Sequence, residues 1–97
     1  MNLIWSPTAI SDMKSIRDYI ACENPSAANK VANRIKQSVQ QLAEFPLSGR
    51  SGRVSGTREI VVPGTSYIAA YILHGSDVQI VAVLHGRQSW PETLQRR

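Results

Sequence analysis

Cysteine is almost missing from this sequence: a single residue, Cys22, stands among 97. One thiol excludes an internal disulfide and any metal site built on cysteines, and it fits a reducing compartment. A lone cysteine is ordinarily a buried, inert thiol, and that is the expectation for Cys22. Long apolar runs are missing as well. No stretch approaches the roughly 20 residues that a membrane-crossing helix needs. The N-terminus carries no basic region followed by a long apolar stretch. A cytoplasmic protein with no membrane partner is expected. Negative charge is the scarcer sign: 7 Asp+Glu stand against 11 Lys+Arg, a net charge of +4. Lysine stops at Lys36, so the second half draws its positive charge from Arg50, Arg53, Arg58, Arg87, Arg96 and Arg97. Arginine holds a phosphate or carboxylate at two points and stacks on flat rings. That chemistry points to an acidic partner, either nucleic acid or an acidic protein segment. A basic surface with no dedicated partner is the plain alternative.

What is present suits one small α+β domain spanning 1–97. Hydrophobic content of 42% and charged content of 19% are ordinary for a globular chain and argue against disorder. A chain of this length buries roughly 60–65% of its unfolded surface, enough for one modest core. A deep enclosed pocket is then hard to build, so function belongs on the surface or in a shallow groove. No repeat, linker or low-complexity tract interrupts the chain.

"NLIW" at 2–5 reads as a short strand. Ser6 then Pro7 marks a helix start, a side-chain acceptor followed by a residue whose missing N–H costs nothing there. Ala9, Met13, Ile16 and Ile20 form one helical stripe. Asn24 and Pro25 repeat the start signal, and Val31, Ile35, Val39 and Leu42 line one face of a second helix that must end before Pro46. Two such helices with a short link form an antiparallel hairpin. "LSGRSGRVSG" at 47–56 reads as a loop. The period then changes to two: "TREIVV", "YIAAYIL" and "VQIVAVLH" are strands, with turns at "PGTS" and "HGSD". The strands are apolar on both sides, so both faces of the sheet need cover. The helix hairpin takes one face, and the N-terminal strand pairs with the three-stranded meander. The other face is shallower and is expected to be covered only in a complex.

This order of elements, with its motifs, resembles the RelE/ParE superfamily of bacterial toxins. "WSPTAISDMKSIRDYI" is similar to the family opening, with Asp12, Ile16 and Tyr19–Ile20 at the usual spacing. "NPSAANKVANRI", "FPLSGR" with "GTRE", "YIAAYIL" and "VQIVAVLHGRQSWP" resemble its later elements, so the likeness runs the length of the chain. The resemblance implies a RelE/ParE-like α+β fold and the toxin of a type II toxin–antitoxin pair, held inactive by a cognate antitoxin in a toxin–antitoxin hetero-oligomer. It implies two possible targets. RelE-like members cut mRNA on the ribosome; ParE-like members inhibit DNA gyrase and lack the nuclease residues. RelE-like enzymes place lysines and an arginine on their second and third strands. By strand order those places fall near Glu59, Val61 and Ile68 here, none of them a cation. The ParE-like reading, a gyrase inhibitor that is not an enzyme, is therefore favoured. A ribosome-dependent mRNA endoribonuclease and a non-toxic basic nucleic-acid-binding module are the alternatives.

No catalytic residue is favoured, and neither a cofactor nor a metal is expected. Were the chain a nuclease, Arg58, His85 and Arg87 would be its set, with His85 able to titrate near neutral pH. A histidine that ends an apolar strand also serves as a hydrogen-bonded structural residue. Arg50, Arg53, Arg58, Arg87 and Trp90 are the candidates for binding target or antitoxin. Trp90 is either an interface anchor or a cover for the end of the sheet. Trp5, Tyr67 and Tyr71 are expected in the core, the two tyrosines on one face.

Overall fold

A computed structural model describes residues 1–87. Trp90, Arg96 and Arg97 lie outside the described residues. The chain opens with β1 (Asn2–Trp5) and turns at once into α1 (Pro7–Ala21). The Ser6 hydroxyl accepts from the Ala9 amide at 3.0 Å, and Pro7 fills the first turn. α2 (Pro25–Gln40) starts the same way, with the Asn24 side-chain oxygen accepting from the Ala27 amide at 3.1 Å. A 3₁₀ turn (Gln41–Ala43) finishes this helix ahead of Pro46. The strands that follow are β2 (Arg50–Ser51), β3 (Arg58–Val61), β4 (Tyr67–His74) and β5 (Asp77–His85).

All five strands form one sheet in the order β1-β5-β4-β3-β2. β1 runs parallel to β5, and every other pair is antiparallel. The expected junction between the first strand and the meander is present. The segment 47–56, read as loop, contains one correction: Arg50 and Ser51 pair with Glu59 and Arg58 and add a short edge strand. β4 and β5 meet at a two-residue turn, Gly75–Ser76, where Gly75 takes φ +59. A positive φ at that first loop position is what a type II′ hairpin requires.

The register of β5 slips once. Ala70 faces Ala82 but Tyr71 faces Ile80, so Val81 is an extra residue. This bulge shifts the alternation by one position, and it explains why β5 reads as an unbroken apolar run. Before the bulge Val78 and Ile80 point to the helices; after it Val83 does.

The helix-side core joins Ala9 and Met13 of α1 with Ala32, Ile35 and Val39 of α2, and sets them on Val62, Ala69, Tyr71, Val78, Ile80 and Val83. Trp5 and Tyr67 pack at its margin. The opposite face holds Ile68, Ala70, Val81, Ala82 and Leu84 with Val54 from the loop after β2, none more than 8% exposed. The expectation that this face waits for a partner therefore fails: these side chains are buried in the lone chain. Cys22 is a second correction. It caps the C-terminal end of α1, where its side chain stays in solvent, and it is exposed.

Candidate functional site

The opposite face of the sheet carries one charged residue where an apolar one would be expected. Alternation along β3 sends Arg58 and Ile60 to the helix side and Glu59 and Val61 to the opposite side. Glu59 is only 2% exposed. A carboxylate so buried needs both partners and hydrogen bonds, since an unmatched charge in a dry site costs several kcal/mol or more. It has them. The Arg53 amide donates to Glu59 Oε2 at 2.9 Å. The Arg53 Nε lies 3.6 Å from the same oxygen, and the Arg50 guanidinium lies 3.6 Å from Oε1. Glu59 faces Ala70 across the ladder, and Ala70 faces Ala82. Two small side chains in this row leave room above the sheet for the arginines.

Arg53 reaches further. Its Nη2 donates to the Gly86 carbonyl at 2.7 Å. One guanidinium therefore ties the loop after β2 to the turn after β5. The Gly86 amide donates to the Ser66 carbonyl at 2.7 Å, and the Arg87 amide donates to His85 Nδ1 at 3.2 Å. That last bond leaves Nε2 as the protonated nitrogen of the neutral imidazole. The His85 ring meets the Tyr67 ring edge-on, with centroids 5.7 Å apart and planes at 82°. Burial, and secondarily Tyr19, pushes the Tyr67 hydroxyl above its ordinary pKa.

Arg58 sits elsewhere. It donates to the Gly49 carbonyl at 2.9 Å and thereby closes the 46–49 segment over the helix side. Tyr71 does the same from beneath, donating to the Pro46 carbonyl at 2.8 Å and accepting from the Gly49 amide at 2.9 Å. A Cβ at Gly49 would strike the Tyr71 hydroxyl, so glycine is required there. Arg58 pairs in register with Tyr71, whereas His85 pairs with Tyr67. Four residues of β4 separate those rows, about 13 Å at the usual rise of a strand.

The residues named from sequence thus divide. His85 and Arg87 come together at the end of β5, and Arg53 joins them through Gly86. Arg50 is exposed beside Glu59. Arg58 stands apart, so the set Arg58, His85 and Arg87 does not converge, and the four arginines do not make one patch. Trp90 lies outside the described residues. Glu59, Val61 and Ile68 do form a unit: Val61 pairs with Ile68, two residues along β3 from Glu59.

For two residues the sequence reading missed a contact: Ser6 was read only as a helix cap and Asp12 only by its spacing in the family opening. β1 covers only the first half of β5, and beyond it the strand edge is completed by side chains of the first helix and its cap. Ser6 Oγ donates to the Val81 carbonyl at 3.2 Å, and Asp12 Oδ2 accepts from the Val83 amide at 3.0 Å. Burial pushes the Asp12 carboxyl above its usual range, against the lowering effect of that amide. The signal in the residues themselves was a carboxylate one position ahead of Met13 on the buried stripe. Among the described residues no cluster of histidine, cysteine or carboxylate could hold a metal. An open groove of about 610 Å³ runs between α1 and α2, with Lys14, Arg17 and Lys36 around Ile10, Met13 and Ala28.

Residues 3–90 match the family described as ParE toxin of type II toxin-antitoxin system, parDE. The toxin-named Y4kP protein of Sinorhizobium fredii is 41% identical over 93% of each chain. Toxin RelE2 of Caulobacter vibrioides is 35% identical over 86% of this chain and 92% of its own length. The solved chromosomal ParDE toxin–antitoxin system of P. aeruginosa superposes with a TM-score of 0.78 at 26% identity, covering 88% of this chain and 95% of that one. The E. coli RelBE complex, at 13% identity, shares the fold with a TM-score of 0.65 over 90% of this chain and 98% of its own. With this fold and a sequence match running through nearly every element of it, the chain belongs to the ParE toxin family, a type II toxin of the RelE/ParE superfamily.

Proposed function

We propose that this toxin acts as ParE-like members do, by inhibiting DNA gyrase, and that a cognate antitoxin holds it inactive. The observation that carries the reading is Glu59. RNA cleavage through the 2′-hydroxyl needs a group to take a proton, a group to return one, and cations for the charge on phosphorus. The sheet face where RelE-like enzymes place those cations here holds a buried carboxylate beside Val61 and Ile68. The nearest cations, Arg50 and Arg53, are directed to that carboxylate. The separation of Arg58 from His85 weakens the alternative nuclease set. Arg87, exposed at the end of β5, is the contact offered to the target.

The antitoxin reading rests on the relatives, whose solved forms are toxin–antitoxin systems. The groove between α1 and α2 offers an acidic amphipathic segment both apolar floor and cations, more than the scattered arginines do. Ribosome-dependent cleavage stays as a second reading because the Caulobacter relative bears the RelE name.

Purified toxin added to a gyrase supercoiling reaction, and separately to a translation reaction with end-mapped message, tests the choice. Inhibited supercoiling with intact message is expected. Codon-positioned cuts that disappear with His85→Ala or Arg87→Ala would replace the gyrase reading with the nuclease. DNA binding without either effect would favour the non-toxic module.

A further inference from the structure

We infer that Arg53 is a positioning residue: anchored on Glu59, it grips the Gly86 carbonyl and so fixes where Arg87 leaves the sheet. The inference rests on the reading of Arg87 as the target contact, but its first half stands on geometry alone. The turn after β5 is held from three directions. Ser66 receives its Gly86 amide, His85 Nδ1 receives its Arg87 amide, and Arg53 supplies the donor to its Gly86 carbonyl. Two of these partners lie beside the turn: Ser66 immediately precedes β4, and His85 ends β5. Arg53 comes from a distant segment, 33 residues away.

Arginine is required for this task. Its planar fork points Nε at Glu59 and Nη2 at Gly86, two acceptors in different directions. A lysine gathers its three donors on one nitrogen and cannot place them at two separate points as the guanidinium does. The anchor is rigid because Glu59 is buried and also accepts from the Arg53 backbone. Rotating the Arg53 side chain away would leave that carboxylate with Arg50 and one amide, in a site with little water to replace the loss. The loop is therefore coupled to the turn, and the direction of Arg87 depends on both.

The test uses the purified full chain in four forms: unaltered, Arg53→Lys, Arg87→Ala and the double variant. Amide hydrogen exchange is followed at Arg53, Gly86 and Arg87, and affinity for gyrase is measured in parallel. In Arg53→Lys, the Gly86 and Arg87 amides should exchange roughly tenfold faster, as expected for losing one charge-assisted hydrogen bond, while the amide at position 53 stays slow on Glu59. Gyrase affinity should fall with Arg53→Lys, and adding that change to Arg87→Ala should cost nothing more. Unaltered exchange at Gly86 and Arg87 would overturn the inference. Additive losses in the double variant would overturn the claim that Arg53 acts through Arg87. Faster exchange with Arg87→Ala binding gyrase as well as the unaltered chain would instead sink the reading of Arg87 as the target contact and leave the strut standing. Should Arg53→Lys fail to fold, pairing it with Glu59→Gln removes the buried charge and keeps the exchange measurement informative.

Discussion

The two faces of this sheet solve one problem by different means. The helix side is covered by the apolar stripes of α1 and α2, and its largest buried residue, Tyr71, spends its one polar atom on Pro46 and Gly49. The opposite side has no helix among the described residues. A loop supplies Val54 to its apolar cluster, and beside that cluster lies a clasp of Glu59, Arg50 and Arg53. Apolar packing is tolerant of its neighbours' identity provided volume is kept. The clasp is intolerant, because each polar atom in it depends on a particular partner. Substitutions on the two faces should therefore fail differently.

The largest loss is expected on the helix side. Tyr71→Ala opens a cavity and frees the 46–49 segment, at a cost of about 3–5 kcal/mol. Tyr71→Phe keeps the packing and loses only the two hydrogen bonds, at about 1–2 kcal/mol. Denaturant unfolding of both variants checks the split; equal losses would mean that the hydroxyl, and not the ring, secures this face.

The clasp should give an intermediate loss and a marked asymmetry. Arg53→Ala leaves buried Glu59 with Arg50 and one amide and takes the donor from Gly86, at about 1–3 kcal/mol. Arg50→Ala removes an exposed partner, its side chain 62% accessible, and should cost under about 1 kcal/mol. Equal losses in thermal melting would show the clasp to be a diffuse charge effect. High salt should then erase both, which the buried geometry otherwise resists.

The mildest conservative change concerns the edge between the faces. Asp12 accepts from Val83 while its folded pKa is raised by burial. A carboxyl with a raised folded pKa binds its proton more tightly in the folded state. Its contribution is full below the unfolded pKa and is lost as pH rises through the higher folded value. Asp12→Asn, which can still accept from Val83, should flatten that fall and cost little at neutral pH. Asp12→Ala, which leaves the amide without its acceptor, should cost about 1–2 kcal/mol. Melting curves across the acid range decide it; a slope unaltered in Asp12→Asn would assign the pH dependence to another group.

The helices and the helix-side core were legible in the sequence because their signals are local. Ser6–Pro7 and Asn24–Pro25 announce helix starts within a few residues, and a stripe such as Ala9–Met13–Ile16 shows its own period. β2 was not legible. Nothing in Arg50–Ser51 favours a strand, and only the tertiary pairing with Glu59 and Arg58 makes one. Glu59 could be placed on its strand but not in its setting. Carboxylates are normally exposed, and its partners lie in a glycine- and serine-rich loop that carries no periodicity. The arginines were legible only as a total: composition counts cations and does not say which also bond within the molecule. Arg53 and Arg58 both give hydrogen bonds to backbone carbonyls. Cys22 reversed the usual burial of a free thiol because a helix end, and not a stripe position, holds it.

The parallel pairing of β1 with β5 sets the order in which the molecule can be finished during synthesis. Asn2 through Trp5 are made well before their partners, Asp77 through Ile80, with both helices and three strands in between. The helix hairpin can close as soon as α2 exists, since its contacts are near in sequence. The sheet cannot. Its central strands and its edge assemble only once β5 is free, so β1 and the apolar floor of the hairpin wait for it. The sheet is therefore closed across a wide separation in sequence, long after its first strand is made.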